Sequence, residues 1–238
     1  MNIQHMQPMH KLCMTISEIK QQLITDELPH YGNQGLYFQN NEITTGLINN
    51  KIEIKIHLST GQLLYFNDEV GDYIDLFTDD IAEKLTKITE KYGLKGPEEK
   101  LENLDFEKIS SFQDYAIPAL KVLELFMMTL RNKFTLIHLW PHHFDFSLEW
   151  FTGNADEQVG TGISPGDENY SEPYLYMNPY PFNEQVTAND LPIGTWHTSG
   201  WQGVKIEWKD LLKYPPENAV NKLHEVFEIV KKNFDVSN

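Results

Sequence analysis

Residues His143 to Phe151 read HFDFSLEWF. Polar and apolar residues alternate, so His143, Asp145, Ser147 and Glu149 fall on one side and Phe144, Phe146, Leu148 and Trp150 on the other. A period of two is the signature of a β-strand with one buried face. From Phe134 onward the pattern stays β, with further strand candidates at Phe134 to Trp140, Glu172 to Asn178 and Val204 to Trp208. Gly153, Gly160, Gly162, Pro165, Gly166, Pro173, Pro179, Pro181, Pro192 and Gly194 break the chain between and around them and force shaped loops.

Upstream, Ile52, Ile54, Ile56 and Leu58 alternate with Glu53, Lys55 and His57, and Ser59-Thr60-Gly61 turns the chain into a return strand from Leu63 to Phe66. This predicts a β-hairpin. Three helices are expected around the strands. Ile74, Phe77, Ile81, Leu85 and Ile88 predict a helix over Asp72 to Tyr92, ended by Gly93. A second, broadly apolar helix is expected from Ser110 or Ser111 to about Asn132, with Pro118 kinking it or marking its first turn. Val220, Leu223, Val226, Phe227 and Val230 predict a third from Pro216 to Phe234. Near the start, Met1 to His10 reads as a flexible tail, followed by a short helix capped at Thr15 or Ser17 and stopped by Pro29. Helices and hairpins mix without a βαβ rhythm. The expected fold is therefore α+β, a mainly antiparallel sheet packed against several helices, with residues 11–238 forming one domain behind the tail.

The central segment LIHLWPHHFDFSLEWFTG, Leu136 to Gly153, is followed by EPYLYMNPYP, Glu172 to Pro181. Trp140, Phe144, Asp145, Phe151, Gly153, Glu172, Pro173 and Tyr176 give these segments a pattern that resembles the bacterial domain family DUF5996. The resemblance extends through the upstream hairpin and the helix after it. It departs at Pro141-His142-His143, one residue longer than the glycine-serine pair that often follows the tryptophan in the family. The resemblance implies one compact α+β domain and no particular activity.

Composition narrows the partners. The chain carries 19 Lys and Arg against 35 Asp and Glu, a formal charge of −16, and Arg131 is its only arginine. Sequence-independent nucleic-acid binding and docking on an anionic membrane both depend on cationic side chains and are not expected. Bidentate clamping of phosphate is not expected either. Cys13 is the lone cysteine, which excludes an internal disulfide and a thiolate zinc site. With no apolar run resembling a signal peptide and no window of about 18 apolar residues, a soluble cytoplasmic protein is expected.

The stretch from Phe134 to Val204 contains no lysine or arginine, nine carboxylates, four histidines, and thirteen of the 29 aromatic residues. Three readings follow. The first is an acidic, aromatic-lined pocket for a small neutral or cationic molecule, built from Trp140, Asp145, Tyr174, Tyr176, Asn178, Trp196 and Trp201. Two carboxylates drawn from Asp145, Glu149, Asp167 and Glu168 would supply acid/base chemistry there. The second reading is a metal-dependent hydrolase. His143 and Asp145, two apart on a strand, emerge about 7 Å apart on one side and can reach a divalent metal with His197 and Glu168. The third is a non-enzymatic interaction domain with an aromatic docking face. The glycine-rich stretch Gly160 to Pro173 lacks the GK[ST] ending of a phosphate loop, and Asp167, Glu168 and Glu172 would repel phosphate. It reads as a polar loop. Whether the protein is an enzyme, and its oligomeric state, are not legible in the sequence.

Overall fold

The computed structural model describes residues 3–24, 28, 32–68, 70–131, 133–154 and 156–234. The fold is α+β, with helices and two antiparallel sheets. The chain forms two compact units, Met1–Ala116 with His138–Phe144, and Ile117–Ile137 with Asp145–Asn238.

The first unit opens on helix α1 (Ile3–Leu23). Met6, Met9, Leu12, Cys13, Ile16 and Ile19 recur at three- and four-residue spacing and are all buried. The expectation of a flexible tail over Met1 to His10 is corrected here: residues 3–10 are the first turns of α1, because Met6 and Met9 continue its apolar stripe. Pro29, expected to stop the helix, lies outside the described residues.

Strands β1 (Tyr37–Gln39), β2 (Glu42–Thr44), β3 (Ile52–His57), β4 (Gln62–Asn67) and β5 (Val70–Asp75) follow in sheet order β1-β2-β3-β4-β5. The β3–β4 hairpin pairs Ile54 with Tyr65 and Ile56 with Leu63, all four buried. The helix expected from Asp72 begins later, as α2 (Ile81–Lys91). Residues 70–75 pair with β4 instead, and the Asp75 carboxylate accepts the Phe77 amide at 2.9 Å to turn the chain. Helix α3 (Phe106–Met127) has its residues up to Ala116 in this unit. Asp105 caps it by accepting the Lys108 amide at 2.8 Å, so the helix begins at Phe106, four residues before Ser110. Strand β6 (His138–Trp140) exchanges two 2.8 Å backbone hydrogen bonds with Leu36 through Leu139.

The second unit holds the rest of α3, strands β7 (Asp145–Phe151), β8 (Gln158–Ser164), β9 (Tyr174–Tyr180), β10 (Thr195–His197) and β11 (Gly203–Glu207), and helices α4 (Trp208–Leu211) and α5 (Pro216–Lys231). These strands lie in the order β10-β11-β9-β8-β7. Strand β8 corrects the reading of Gly160 to Pro173 as a loop: residues through Ser164 form a central strand paired on both sides. One face of the sheet presents Phe146, Leu148, Trp150, Val159, Ile163, Leu175, Met177, Val204 and Ile206, every one buried. On this apolar side the Phe227 ring of α5 meets Trp150 edge-on at 5.2 Å and Phe126 at 5.5 Å. No helix among the described residues is long and apolar enough to cross a membrane.

Candidate functional site

The opposite face of the second unit's sheet is polar, and its rows follow from the strand register. Ser147 of β7, Gly162 of β8, Tyr176 of β9, Lys205 of β11 and Thr195 of β10 form one row. Glu149, Gly160 and Asn178 form the next. Both glycines of β8 on this face lie beneath side chains of neighbouring strands. A Cβ on Gly162 would collide with the Tyr176 ring and hydroxyl and with the Ser147 Cβ, and a Cβ on Gly160 would come 3.0 Å from Glu149 Oε1 and 3.2 Å from Oε2. The outer end of the Tyr176 ring therefore lies over Gly162, and its hydroxyl donates to Asp145 Oδ2 on β7. The Glu149 carboxyl reaches the other way, over Gly160.

These neighbours give the two carboxylates different surroundings. Asp145 is 4% exposed and holds the Tyr176 hydroxyl. Glu149 Oε2 is buried and makes no hydrogen bond, and neither does the buried Asn178 Oδ1 in the same row. Burial, and then the negative charge of Asp145, push the Glu149 carboxyl up from its ordinary 4.5 to about 7. Burial, followed by the Asp145 charge and hydrogen bond, holds the Tyr176 phenol far above its ordinary range.

Beside these rows stands a ring cluster. Trp201 stacks on His197 at 3.9 Å and lies parallel to Tyr174 at 6.2 Å, with Tyr176 edge-on at 6.2 Å. Tyr170 meets Tyr174 at 5.2 Å. The Lys205 ammonium sits 4.0 Å over the Tyr170 ring and 5.9 Å from Tyr174, and pairs with Glu207 at 2.6 Å. The cluster thus contains a cation of its own.

Of the expected ligand-binding residues, the fold brings Asp145, Tyr174, Tyr176, Asn178 and Trp201 onto this face. Trp196 is not among them. It pairs with Val204 in the apolar phase, and its indole N–H donates to the Asn189 carbonyl at 2.9 Å. Trp140 belongs to β6 in the first unit.

Among the acid/base candidates, Asp145 and Glu149 are on the face, whereas Asp167 and Glu168 are exposed on the loop after β8. Asp167 shapes that loop. Its Oδ1 accepts the Asn169 and Tyr170 amides at 2.7 and 2.9 Å, and its Oδ2 accepts the Tyr174 hydroxyl at 2.9 Å.

The metal set of His143, Asp145, His197 and Glu168 is not brought together. No three His, Cys, Asp or Glu side chains among the described residues are placed to hold a metal ion. His143 precedes β7 in a turn where Phe144 takes φ of 54°, so the alternation does not extend to it, and its side chain is exposed. Both ring nitrogens of His197 are engaged, Nε2 with the Tyr170 hydroxyl at 2.6 Å and Nδ1 with the Trp201 carbonyl at 2.7 Å. His142 is exposed in the same turn as His143.

Sequence reasoning missed Gly160, Gly162, Lys205 and Tyr170. The readable signal for the glycines was their spacing. Two glycines two apart in QVGTGIS share one face of a strand and leave a shallow floor there.

The first unit carries a separate cleft of about 550 Å³, lined by α1 and residues 95–101, including His10, Met14, Glu18, Lys95 and Glu98. Its lining mixes both charges, and none of its residues has a buried polar atom without a partner. Comparison with known proteins returns no matching family model, curated protein or solved structure.

Proposed function

We propose that the polar face of the second unit's sheet binds a small uncharged polar molecule. The observation that carries this is the Gly160 row, where Glu149 Oε2 and Asn178 Oδ1 are buried without a hydrogen-bond partner. Leaving such groups unmade costs about 1–3 kcal/mol each. A ligand with hydroxyl or amide groups recovers that cost. Tyr174, Tyr176 and Trp201 supply apolar surface beside the row.

A neutral ligand is favoured over a cationic one by Lys205, whose ammonium already takes the place over the tyrosine rings that a ligand cation would seek. The lone, fully buried Cys13 fits a reducing cytoplasm, and the net charge of −16 weighs against a nucleic-acid partner.

The test is a thermal-shift panel of neutral monosaccharides, polyols, hydroxyketones and primary amides against the wild type and Asn178→Ala. The expected result is stabilisation by one class, reduced in the variant. The reading fails if no class stabilises the wild type, or if the shifts are the same in Asn178→Ala.

A further inference from the structure

The contrast between the two rows goes beyond binding. Over Gly162, the Tyr176 hydroxyl donates to Asp145 Oδ2. Over Gly160, one row away on the same face, the Glu149 carboxyl has an oxygen with no partner. Residues two apart on a strand are about 7 Å apart. A molecule of three or four carbon atoms therefore spans from the Glu149 carboxyl to the Tyr176 hydroxyl.

We propose that Glu149 is a general base and acid that removes and returns a proton on the carbon next to a carbonyl group in a small neutral hydroxyketone, with Tyr176 hydrogen-bonding the carbonyl oxygen. This rests on the binding reading above. In the step, the Glu149 carboxylate takes the proton from the C–H beside the carbonyl. The C–H electron pair becomes the new C=C bond, and the carbonyl π pair moves onto oxygen. The Tyr176 O–H turns from Asp145 to donate to that oxygen. Glu149 then returns a proton to carbon, the carbonyl reforms, and no cofactor or second reactant is consumed.

The residues present select this chemistry over glycoside hydrolysis. That reaction calls for two carboxyl groups about 5–10 Å apart, whereas Asp145 and Glu149 lie four residues apart on β7, about 13 Å along the strand. One exchangeable carboxyl beside one hydroxyl donor is instead the set that enolisation uses. A carboxyl raised to about 7 also populates both protonation states at neutral pH, as a group that must both take and return a proton requires.

The experiment uses the full-length protein with hydroxyacetone and dihydroxyacetone in D2O. Proton NMR follows loss of the C–H signals, and saturation transfer follows binding. Exchange above the buffer rate is expected in the wild type. Glu149→Gln should lower the enzyme-dependent rate at saturating ketone by about 100-fold or more. Tyr176→Phe should also lower it, leaving the pH midpoint of the remaining activity in place. Near-UV circular dichroism confirms that both variants are folded. Saturation transfer without exchange above buffer overturns the proposal and leaves the binding reading standing. Exchange that persists in Glu149→Gln overturns it too. If neither probe binds, the proposal is lost, and the thermal-shift panel decides separately whether the face binds anything.

Discussion

Glu149→Gln should make the protein more stable at alkaline pH. The folded state holds a proton on Glu149 more tightly than the unfolded chain does, because burial and the Asp145 charge disfavour the carboxylate. Folding therefore takes up a proton between the two values, 4.5 and about 7. The contribution is fully present below pH 4.5, falls as pH rises, and is lost once pH has passed through about 7. At about 1.4 kcal/mol per pH unit, that interval makes ionised Glu149 cost the fold about 3 kcal/mol, a large share of a typical total of about 5–15 kcal/mol. Glutamine keeps the shape over Gly160 and cannot ionise. Urea unfolding at pH 5 and pH 9 measures the effect. Tryptophan fluorescence reports mainly on the right unit, since Trp150, Trp196, Trp201 and Trp208 belong to it and only Trp140 to the other. The difference between variant and wild type should be small at pH 5 and grow to about 3 kcal/mol at pH 9, or about 1 M in urea midpoint at a slope of about 3 kcal/mol per molar. Parallel pH profiles for the two proteins would refute the reasoning, because they would mean that Glu149 ionises in the fold as freely as in the unfolded chain.

Gly162→Ala should cost about 1–3 kcal/mol, because the new methyl meets the Tyr176 ring and Ser147 Cβ, and Gly160→Ala should cost less, its first contact being the movable end of Glu149; thermal melts of the two variants rank them. Lys205→Met should open the ring cluster to an external cation, so tetramethylammonium titrated by NMR should shift Tyr170 and Tyr174 resonances in the variant and leave the wild type unchanged. Deleting residues 1–10 should destabilise the first unit through loss of the buried Met6 and Met9 side chains, each worth about 1.5–3 kcal/mol; a circular dichroism melt with an unchanged midpoint would contradict this.

The fold was legible where one side of an element is apolar and the other polar. The β3–β4 hairpin and β7 announce themselves by alternation, and α5 by its stripe from Ala219 to Val230. It was illegible where side chains are missing by design. Strand β8 looks like a loop because two of its seven residues are glycine, and the reason for them is the Tyr176 and Glu149 side chains of neighbouring strands, visible only in the register. Periodicity also overran its element twice. The helical spacing from Ile74 to Ile81 crossed from β5 into α2, and the alternation at His143 ran past the start of β7 into the turn set by Phe144. Asp145, Tyr174, Tyr176 and Asn178 reached one face because they share strand phase, and Trp201 joins them from the turn between β10 and β11. The metal set failed because His197 spends both nitrogens on Tyr170 and Trp201, a pairing across 27 residues and a turn that no spacing rule encodes.

The two carboxylates of β7 separate a structural role from a chemical one. Both point to the same side of the same strand, four residues apart, and both are largely withdrawn from water. The difference lies in what crosses β8 to meet them. Tyr176 reaches Asp145 and ties β9 to β7 through a hydrogen bond that needs Gly162 beneath it. Had Glu149 the same purpose, both of its oxygens would be bonded to the residue facing it across Gly160. That position holds Asn178, and one oxygen on each side chain goes unbonded. A buried Glu149 oxygen with no bond from the chain, facing an Asn178 oxygen in the same state and on a group held near neutrality in its proton affinity, is the arrangement expected of a group kept for a partner outside the chain.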